Sequence, residues 1–175
     1  MERIDTRLEQ KIGFDRIRKI ISDKCSTTYA ADRTATEVFS NKASEIRRRL
    51  LLTDEMRLIM MFEDSFPSGG FIDCIDFLKP LERSSSAIDL ISIRKLRTML
   101  DTLRKVIGFF ENVKDEVYPN LKRMSAHILG FPEVQRRIET IIDRYGDVKD
   151  TASDALYEIR KELRSKEGAI SRRIN

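Results

Sequence analysis

Apolar residues return every three or four positions between residues 89 and 113, and this period restricts the segment to an amphipathic helix. The row contains six large side chains: Leu96, Met99, Leu100, Leu103, Ile107 and Phe110. The composition agrees, because the 175 residues include only seven glycines and four prolines and are rich in good helix formers. The sequence therefore predicts an all-α fold with a multi-helix core.

Weaker signals predict the other helices of this core. Their expected starts are Phe14 or Asp15, Ser26 or Thr27, Asn41, Pro119 and Pro132. Serine and threonine cap helix N-termini, and proline is tolerated in the first helical turn. The single histidine, His127, is expected on the helix that follows Pro119. The segment FPSGGF at 66–71 interrupts the helical pattern and predicts a turn, or a loop that approaches a ligand.

The final thirty residues, GDVKDTASDALYEIRKELRSKEGAISRRIN, begin like a turn and continue as a long amphipathic run. Its apolar seam has heptad-like spacing: Leu156, Ile159, Leu163, Ile170 and Ile174. A helix from Asp154 to Ile174 would be roughly 30 Å long at about 1.5 Å per residue. Because no stop signal closes the run, we expect a helix that is cut at Asn175 and whose seam lacks its covering partner.

The charge and the cysteines limit the class of protein. There are 33 basic and 29 acidic residues, giving a net charge of +4, which permits contact with nucleic acid without requiring it. Cys25 and Cys74 form no CxxC motif, which indicates a reducing compartment. The charged start MERIDTRLEQK lacks the apolar core of a signal peptide, and stretches such as RLIMMF are too short to cross a bilayer. We therefore expect a cytoplasmic protein with no membrane contact.

The motifs of catalysis are missing from the chain. It contains no GK dipeptide and hence no P-loop, and neither GxGxxG nor GxSxG occurs. A single histidine excludes a two-histidine site within the chain. An acidic run crosses the turn before the last helix: Asp143, Asp147, Asp150 and Asp154. A cation site is one interpretation, but capping and turn hydrogen bonds are favoured. We predict no enzymatic activity, and no catalytic, cofactor-binding or metal-binding residue.

Arginines are the remaining candidates for a site. Arg47, Arg48 and Arg49 form the densest basic stretch, but consecutive helical residues are about 100° apart and cannot all face one ligand. A solvated helix surface and phosphate contact are the alternatives there. The same alternatives apply to Arg172 and Arg173. These five residues are the candidate nucleic-acid contacts.

Three stretches together resemble one family. They are KIGFDRIRKIISDKCST near the start, FPSGG followed by IDFLKPLERSS, and IDRYGDVKDTASDALYEIRKEL near the end. Their order and spacing are similar to the second bacterial branch of the MutS family, the branch that carries a Smr nuclease domain. The resemblance extends over nearly the whole chain.

The resemblance implies a dimeric ATPase in which a helical core sends lever helices to a DNA-clasping clamp. Family members bind branched or unusual DNA, act in mismatch repair or limit recombination, and some resemble ribosome-collision factors. On this basis, residues 1–145 would be the core. Residues 146–175 would be the turn and the first part of the outgoing lever, a long protruding C-terminal helix.

We therefore expect a non-catalytic core and lever fragment of a MutS-like DNA-binding ATPase. ATP, Mg²⁺ and the endonuclease would belong to parts of the protein outside this chain, and the full-length protein is expected to be a homodimer. DNA binding by the chain itself should be weak at most. One alternative keeps the module but replaces DNA with collided ribosomes, and another is an unrelated helical protein-interaction module.

Overall fold

A computed structural model describes the backbone of residues 6–83 and 86–174, and over these residues the chain is helical without a β-strand. The α-helices are α1 Thr6–Ile12, α2 Phe14–Asp23, α3 Thr28–Thr36, α4 Ala43–Phe62, α5 Ile75–Leu78, α6 Leu90–Asn112, α7 Pro119–Ser125, α8 Pro132–Ile141 and α9 Asp154–Ile174. Short 3-10 turns occupy Lys79–Glu82 and Asp150–Ala152. This confirms the predicted all-α fold with a long C-terminal helix.

The helix α6 lies at the centre of the core. One cluster of buried side chains joins it to α4 and α7: Ile59, Val106, Phe109, Phe110, Tyr118 and Leu121. A second cluster joins α6 to α8 through Leu100, Ile138 and Ile142. Since both clusters use α6, its apolar row organises the packing of the elements around it.

The packing of α7 on α4 includes a buried carboxylate. Glu55 of α4 is 8% exposed, and it accepts hydrogen bonds from the backbone N–H groups of Asn120, at 3.1 Å, and Leu121, at 2.7 Å. The side-chain amide of Asn120 donates a third bond of 2.6 Å. These backbone donors belong to the first turn of α7, where they have no partner within the helix. Glu55 therefore caps α7 from another helix, and the positive end of the helix dipole favours its charge.

The FPSGGF segment turns against α6. Gly70 has φ of +83°, and a Cβ atom at this residue would lie 2.3 Å from Oγ1 of Thr102. The Thr102 hydroxyl donates to the Gly70 carbonyl at 3.1 Å. The segment is therefore a turn, and its close approach is to the backbone and side chains of α6.

Arg18 ties the first three helices together. Its guanidinium forms two hydrogen bonds, of 2.8 and 3.0 Å, with the carboxylate of Glu9 in α1. It also donates to the carbonyl oxygens of Thr34 and Glu37 at 2.7 Å each, at the end of α3. The contact with Arg18 holds the pKa of Glu9 below its usual value. Thr27 caps α3, as the sequence predicted, by accepting from the backbone N–H of Ala30 at 3.2 Å.

Three details differ from the sequence expectations or extend them. Helix α1 precedes the helix that was expected to come first. His127 lies just after α7, which ends at Ser125, and its side chain is exposed. The apolar row of α2, formed by Ile17, Ile20 and Ile21, is exposed over the described residues. Periodicity therefore predicted the helix without showing whether its apolar face is covered.

The Glu55 cap predicts a large effect on stability. In Glu55→Ala the donors of Asn120 and Leu121 lose their acceptor in a buried site, so the free energy of unfolding should fall by about 2–4 kcal/mol. Urea denaturation followed by circular dichroism measures the change. Glu111→Ala removes an exposed carboxylate of α6 and should change stability by less than about 0.5 kcal/mol. Equal effects of the two substitutions would contradict the capping role.

Candidate functional site

The connection between α8 and α9 is a closed turn, which we call the base turn and define as residues 142–149. Ile142 and Val148 form an antiparallel bridge. The backbone N–H of Asp143 donates to the carbonyl of Asp147 at 2.8 Å, and that of Lys149 donates to Ile141 at 2.9 Å. Ile142 is only 1% exposed, so the turn is anchored in the α6–α8 cluster.

Two arginines of α6 bind the backbone of the base turn. Arg94 Nε donates to the carbonyl of Gly146 at 2.6 Å. Arg97 donates to the carbonyls of Asp143, at 2.5 Å, and Arg144, at 3.2 Å. Hydrogen bonds from a charged donor are stronger than those between neutral groups. The turn is therefore held on α6 at three carbonyl oxygens.

Gly146 is required by this arrangement. Its φ of +89° lies in the left-handed region, and a Cβ atom there would be 2.8 Å from Nε of Arg94. The next side-chain atoms of Arg94 would be 3.1 and 3.2 Å away. Any larger residue would thus combine backbone strain with displacement of the arginine that holds the turn.

The second and third turns of α9 are held by Asp150. Its carboxylate accepts from Arg160 at 2.5 Å and also pairs with Arg164. Arg160 donates in addition to the carbonyl of Val148 at 2.9 Å, which connects α9 to the base turn. The hydrogen bond from Arg160, followed by that from Arg164, holds the pKa of Asp150 below its usual value. These contacts fix the direction in which α9 leaves the core.

The acidic run is used for this local structure. Asp143 Oδ1 accepts from the backbone N–H groups of Tyr145, at 2.8 Å, and Asp147, at 2.9 Å, which lowers the pKa of Asp143. Asp147 pairs with Arg94 at 2.9 Å. Turn hydrogen bonds therefore account for the carboxylate of Asp143, and contacts with arginines of α6 and α9 account for those of Asp147 and Asp150. Within residues 6–83 and 86–174 no group of three potential ligands is arranged to hold a metal ion.

Beyond its base, α9 projects with its apolar seam uncovered. Ile159 is 64% exposed, Leu163 55% and Ile170 57%. Ile174, which was predicted to continue the seam, has a side chain outside the described part of the structure. Large apolar side chains in a row on an exposed helix form a surface suited to packing against another helix.

The arginines predicted from the sequence differ in their surroundings. Arg49 is engaged by Glu37 and by Glu45, at 2.6 Å for the latter, whereas Arg47 and Arg48 are exposed. Arg172 is exposed and its Nε donates to the carbonyl of Gly168 at 3.1 Å. The side chain of Arg173 lies outside the described residues. Contact of these arginines with nucleic acid stays a prediction.

The functional residues that sequence reasoning missed are Arg94, Arg97 and Arg160. They lie on helices whose apolar rows were recognised, but their partners are carbonyl oxygens that a sequence pattern does not reveal. The carbonyl oxygens bound by Arg94 and Arg97 belong to residues 46 to 52 positions away along the chain. The Gly146-Asp147 pair was the one available signal, since it marks a turn at which a second element can approach the backbone.

A groove of about 790 Å³ lies between α3, the segment 71–78, α6 and α8. Its lining is almost wholly apolar and includes Tyr29, Ile75, Leu96 and Phe131. Burial raises the pKa of the Cys74 thiol at its edge. The groove therefore offers apolar surface rather than a set of groups for acid–base chemistry. No helix within residues 6–83 and 86–174 is both long enough and apolar enough to span a membrane.

The fold and its base turn define the class of structure, a helical core from which one long helix projects. No family model matches the chain. It is similar to the endonuclease MutS2 of Geobacillus sp. (strain WCH70), with 26% identity over 171 residues. It is also similar to proteins of the same name from Brevibacillus brevis, with 23% identity over 181 residues, and from Listeria monocytogenes serotype 4a, with 25% over 174 residues.

These similarities cover 97% or 98% of the chain. The chain in turn spans about a fifth of the length of these relatives, 22% in each of the three cases. The chain is thus related in sequence to a region of the MutS2 endonucleases. This agrees with the resemblance expected from its three sequence stretches.

Substitution of Gly146 in the base turn and of Gly168 in α9 should have opposite effects on the free energy of unfolding. Gly146→Ala should lower the free energy of unfolding by about 1–3 kcal/mol, because alanine is strained at positive φ and would displace Arg94. Gly168→Ala in α9 meets open space and should stabilise the helix by up to about 1 kcal/mol. Urea denaturation of both variants is the measurement. A Gly146→Ala protein as stable as the parent would show that the base turn does not need its observed conformation.

Proposed function

We propose that this chain is a non-catalytic core and lever module of a MutS2-like protein. In this role the core holds the base of α9, and α9 carries movements of the core to a nucleic-acid-binding part of the protein. The observation that carries the proposal is the double fastening of α9: the base turn is bound by Arg94 and Arg97 of α6, and the helix itself by Asp150. The similarity to the MutS2 endonucleases along nearly the whole chain supports it.

A lever must be stiff and must be joined firmly at one end. The 21 residues of α9 form a helix of roughly 30 Å at about 1.5 Å per residue. Arg160 and Arg164 lie one helical turn apart, in the second and third turns of α9, and both reach Asp150, so these turns cannot tilt without breaking a charged contact. A displacement of α6 is thereby passed to α9 through the arginines that bind the base turn.

The module does its work without chemistry of its own. The carboxylates of Glu55 and Asp143 are engaged in a helix cap and a turn, and the groove is apolar. We propose that ATP and Mg²⁺ bind elsewhere in a longer protein, as does the nuclease activity that the relatives' name indicates. Homodimer formation by that protein belongs to the same proposal.

DNA is the proposed partner of the whole assembly, with a role in mismatch repair or in limiting recombination. Several arginines of the chain bind its own carboxylates or carbonyl groups, which leaves fewer guanidinium groups free to contact phosphate. Arg47 and Arg48 are the exposed candidates for phosphate contact on α4. Ribosomal RNA is also a polyanion, so a collided ribosome is the alternative partner and is separated from DNA by experiment.

The rigidity of α9 tests the lever. Spin labels at Glu111→Cys on α6 and Lys161→Cys on α9, in a background where Cys25 and Cys74 are serine, report the distance between the two helices. In dilute protein we expect one narrow distance distribution, measured by double electron–electron resonance. Asp150→Asn should broaden it, because both arginines lose their charged partner.

The control for this measurement is Asp64→Asn, which changes an exposed carboxylate away from the base turn and should leave the distribution narrow. A broad distribution in the parent protein would refute a stiff lever. An unchanged distance distribution in Asp150→Asn would show that Asp150 is not needed to hold α9 and that Arg94 and Arg97 hold its base.

Binding assays test the partner. Fluorescence anisotropy with linear and branched duplexes should show weak binding without structural preference, falling steeply between about 50 and 200 mM salt. Arg47→Ala combined with Arg48→Ala should weaken it further, whereas Arg172→Ala serves as a distant comparison. Tight, structure-selective binding at physiological salt would contradict the assignment of DNA contact to another part of the protein. Sedimentation with ribosomes that survives such salt would favour the ribosomal alternative.

A further inference from the structure

Helices α1, α2 and α3 form a unit that is attached to the rest of the fold differently from the other helices, and we call it the N-terminal unit. Neither α2 nor α3 contributes a buried side chain over its described residues. In contrast, α4, α6, α7 and α8 each contribute side chains to the buried core. The apolar groove lies between α3 and α6, where a packed interface would otherwise be. Hydrophobic burial therefore contributes less to the attachment of the N-terminal unit than to the packing around α6.

One contact at the start of α3 joins the N-terminal unit to the core. The carboxylate of Asp73 accepts hydrogen bonds from the backbone N–H groups of Thr28, at 2.5 Å, and Tyr29, at 3.4 Å. These donors lie in the first turn of α3, where they have no partner within the helix and where the helix dipole favours a negative charge. Asp73 belongs to the core side, because its segment is held on α6 by the hydrogen bond from Thr102 to the Gly70 carbonyl. Asp73 thus caps α3 from the core.

A second contact lies beyond the other end of α3. Glu37, directly after this helix, pairs with Arg49 of α4, and the two side chains are 40% and 41% exposed. The hydrogen bonds of Asp73 are also open to solvent. Contacts of charged groups that water reaches contribute little individually to stability. The two contacts therefore hold the N-terminal unit weakly enough for it to open while the core stays folded.

The connection between α3 and α4 supplies a pivot. Residues 37–42 have no regular secondary structure. Phe39 packs on Phe14 of α2, with ring centroids 5.1 Å apart, and so belongs to the N-terminal unit. The hydroxyl of Ser40 donates to Glu45 of α4 at 2.8 Å, so this residue belongs to the core. A movement of the unit is therefore concentrated at the Phe39–Ser40 junction.

We propose that the N-terminal unit is latched on the core and swings about the Phe39–Ser40 junction, with the Asp73 and Glu37 contacts breaking together. Because Arg18 binds both α1 and the end of α3, the three helices move as one. The swing draws α3 away from the apolar groove, whose lining is then open on that side. The latch uses no residue of α9 and does not depend on the proposed lever function.

Hydrogen exchange reports the swing. The helices of the unit have 7, 10 and 9 residues, and helices this short are marginal without packing, so their amides exchange when the unit is open. The amides of α6 exchange only when the core unfolds. In the full 175-residue chain, followed at single residues by NMR, α2 and α3 should therefore exchange at least about 10-fold faster than α6. Equal protection of the three helices would overturn the proposal.

Substitution of Asp73 tests the latch at the start of α3. In Asp73→Ala the loss of the helix cap should accelerate exchange in α2 and α3 by a common factor, roughly 3- to 30-fold. Asp73→Asn keeps an acceptor oxygen and should have a smaller effect. The matched control Asp76→Ala removes an exposed carboxylate of α5 and should change exchange less than about twofold. Equal effects of Asp73→Ala and Asp76→Ala would exclude the latch.

Two further variants distinguish one swing from other openings. Glu37→Gln should accelerate the amides at the start of α3, the end of the helix far from Glu37, roughly 1.5- to 5-fold, because one swing breaks both contacts. Tyr118→Phe removes a core hydroxyl that donates to Glu63 at 3.0 Å. Since that contact persists during the swing, Tyr118→Phe should accelerate exchange in α6 but not in α2 or α3. A Glu37→Gln effect confined to residues beside Glu37, or a Tyr118→Phe effect of equal size in all three helices, would refute the swing.

Discussion

The packing of α6 is the constraint on which the rest of the structure depends. Its apolar row contributes to both buried clusters, so α4 and α7 on one side and α8 on the other are positioned by the same helix. Polar side chains of α6 also bind two of the segments that connect the helices. Thr102 binds the turn at Gly70, and Arg94 and Arg97 bind the base turn. A single helix thus sets both the core and the point from which α9 departs.

Several arginines of this protein hold one part of the chain against another. Arg18 joins α1 to the end of α3, Arg49 binds two glutamates, and Arg160 closes the base of α9. Each of these arginines adds to the basic count of the sequence without adding an isolated positive charge to the surface. Because each ion pair joins one positive and one negative charge, the net charge of +4 is unchanged by these contacts, which reduce only the number of guanidinium groups free to contact a phosphate.

The sequence predicted those parts of the fold that follow from local periodicity and capping. The apolar row of α6, the cap at Thr27 and the start of α9 after Ser153 are of this kind, because each depends on residues within two helical turns. It could not predict the Glu55 cap, whose donors are 65 and 66 residues away, or the contacts of Arg94. Such contacts depend on how helices cross. Periodicity likewise gave no sign that the apolar row of α2 would stay exposed.

The geometry of α9 explains why its base is so heavily fastened. A rotation of 5° about the first turn would move the far end of a 30 Å helix by roughly 2.6 Å, so small errors at the base are magnified at the tip. A helix joined to the core by one flexible link would tilt at that link, and a movement of the core would not be passed to its far end. Arg160 and Asp150 suppress the tilt at the first turns, while Gly146 lets Arg94 approach the turn closely enough to hold its backbone. The direction of α9 at its base is therefore held by contacts of Arg94, Asp150 and Arg160, and the apolar stripe beyond the base is exposed.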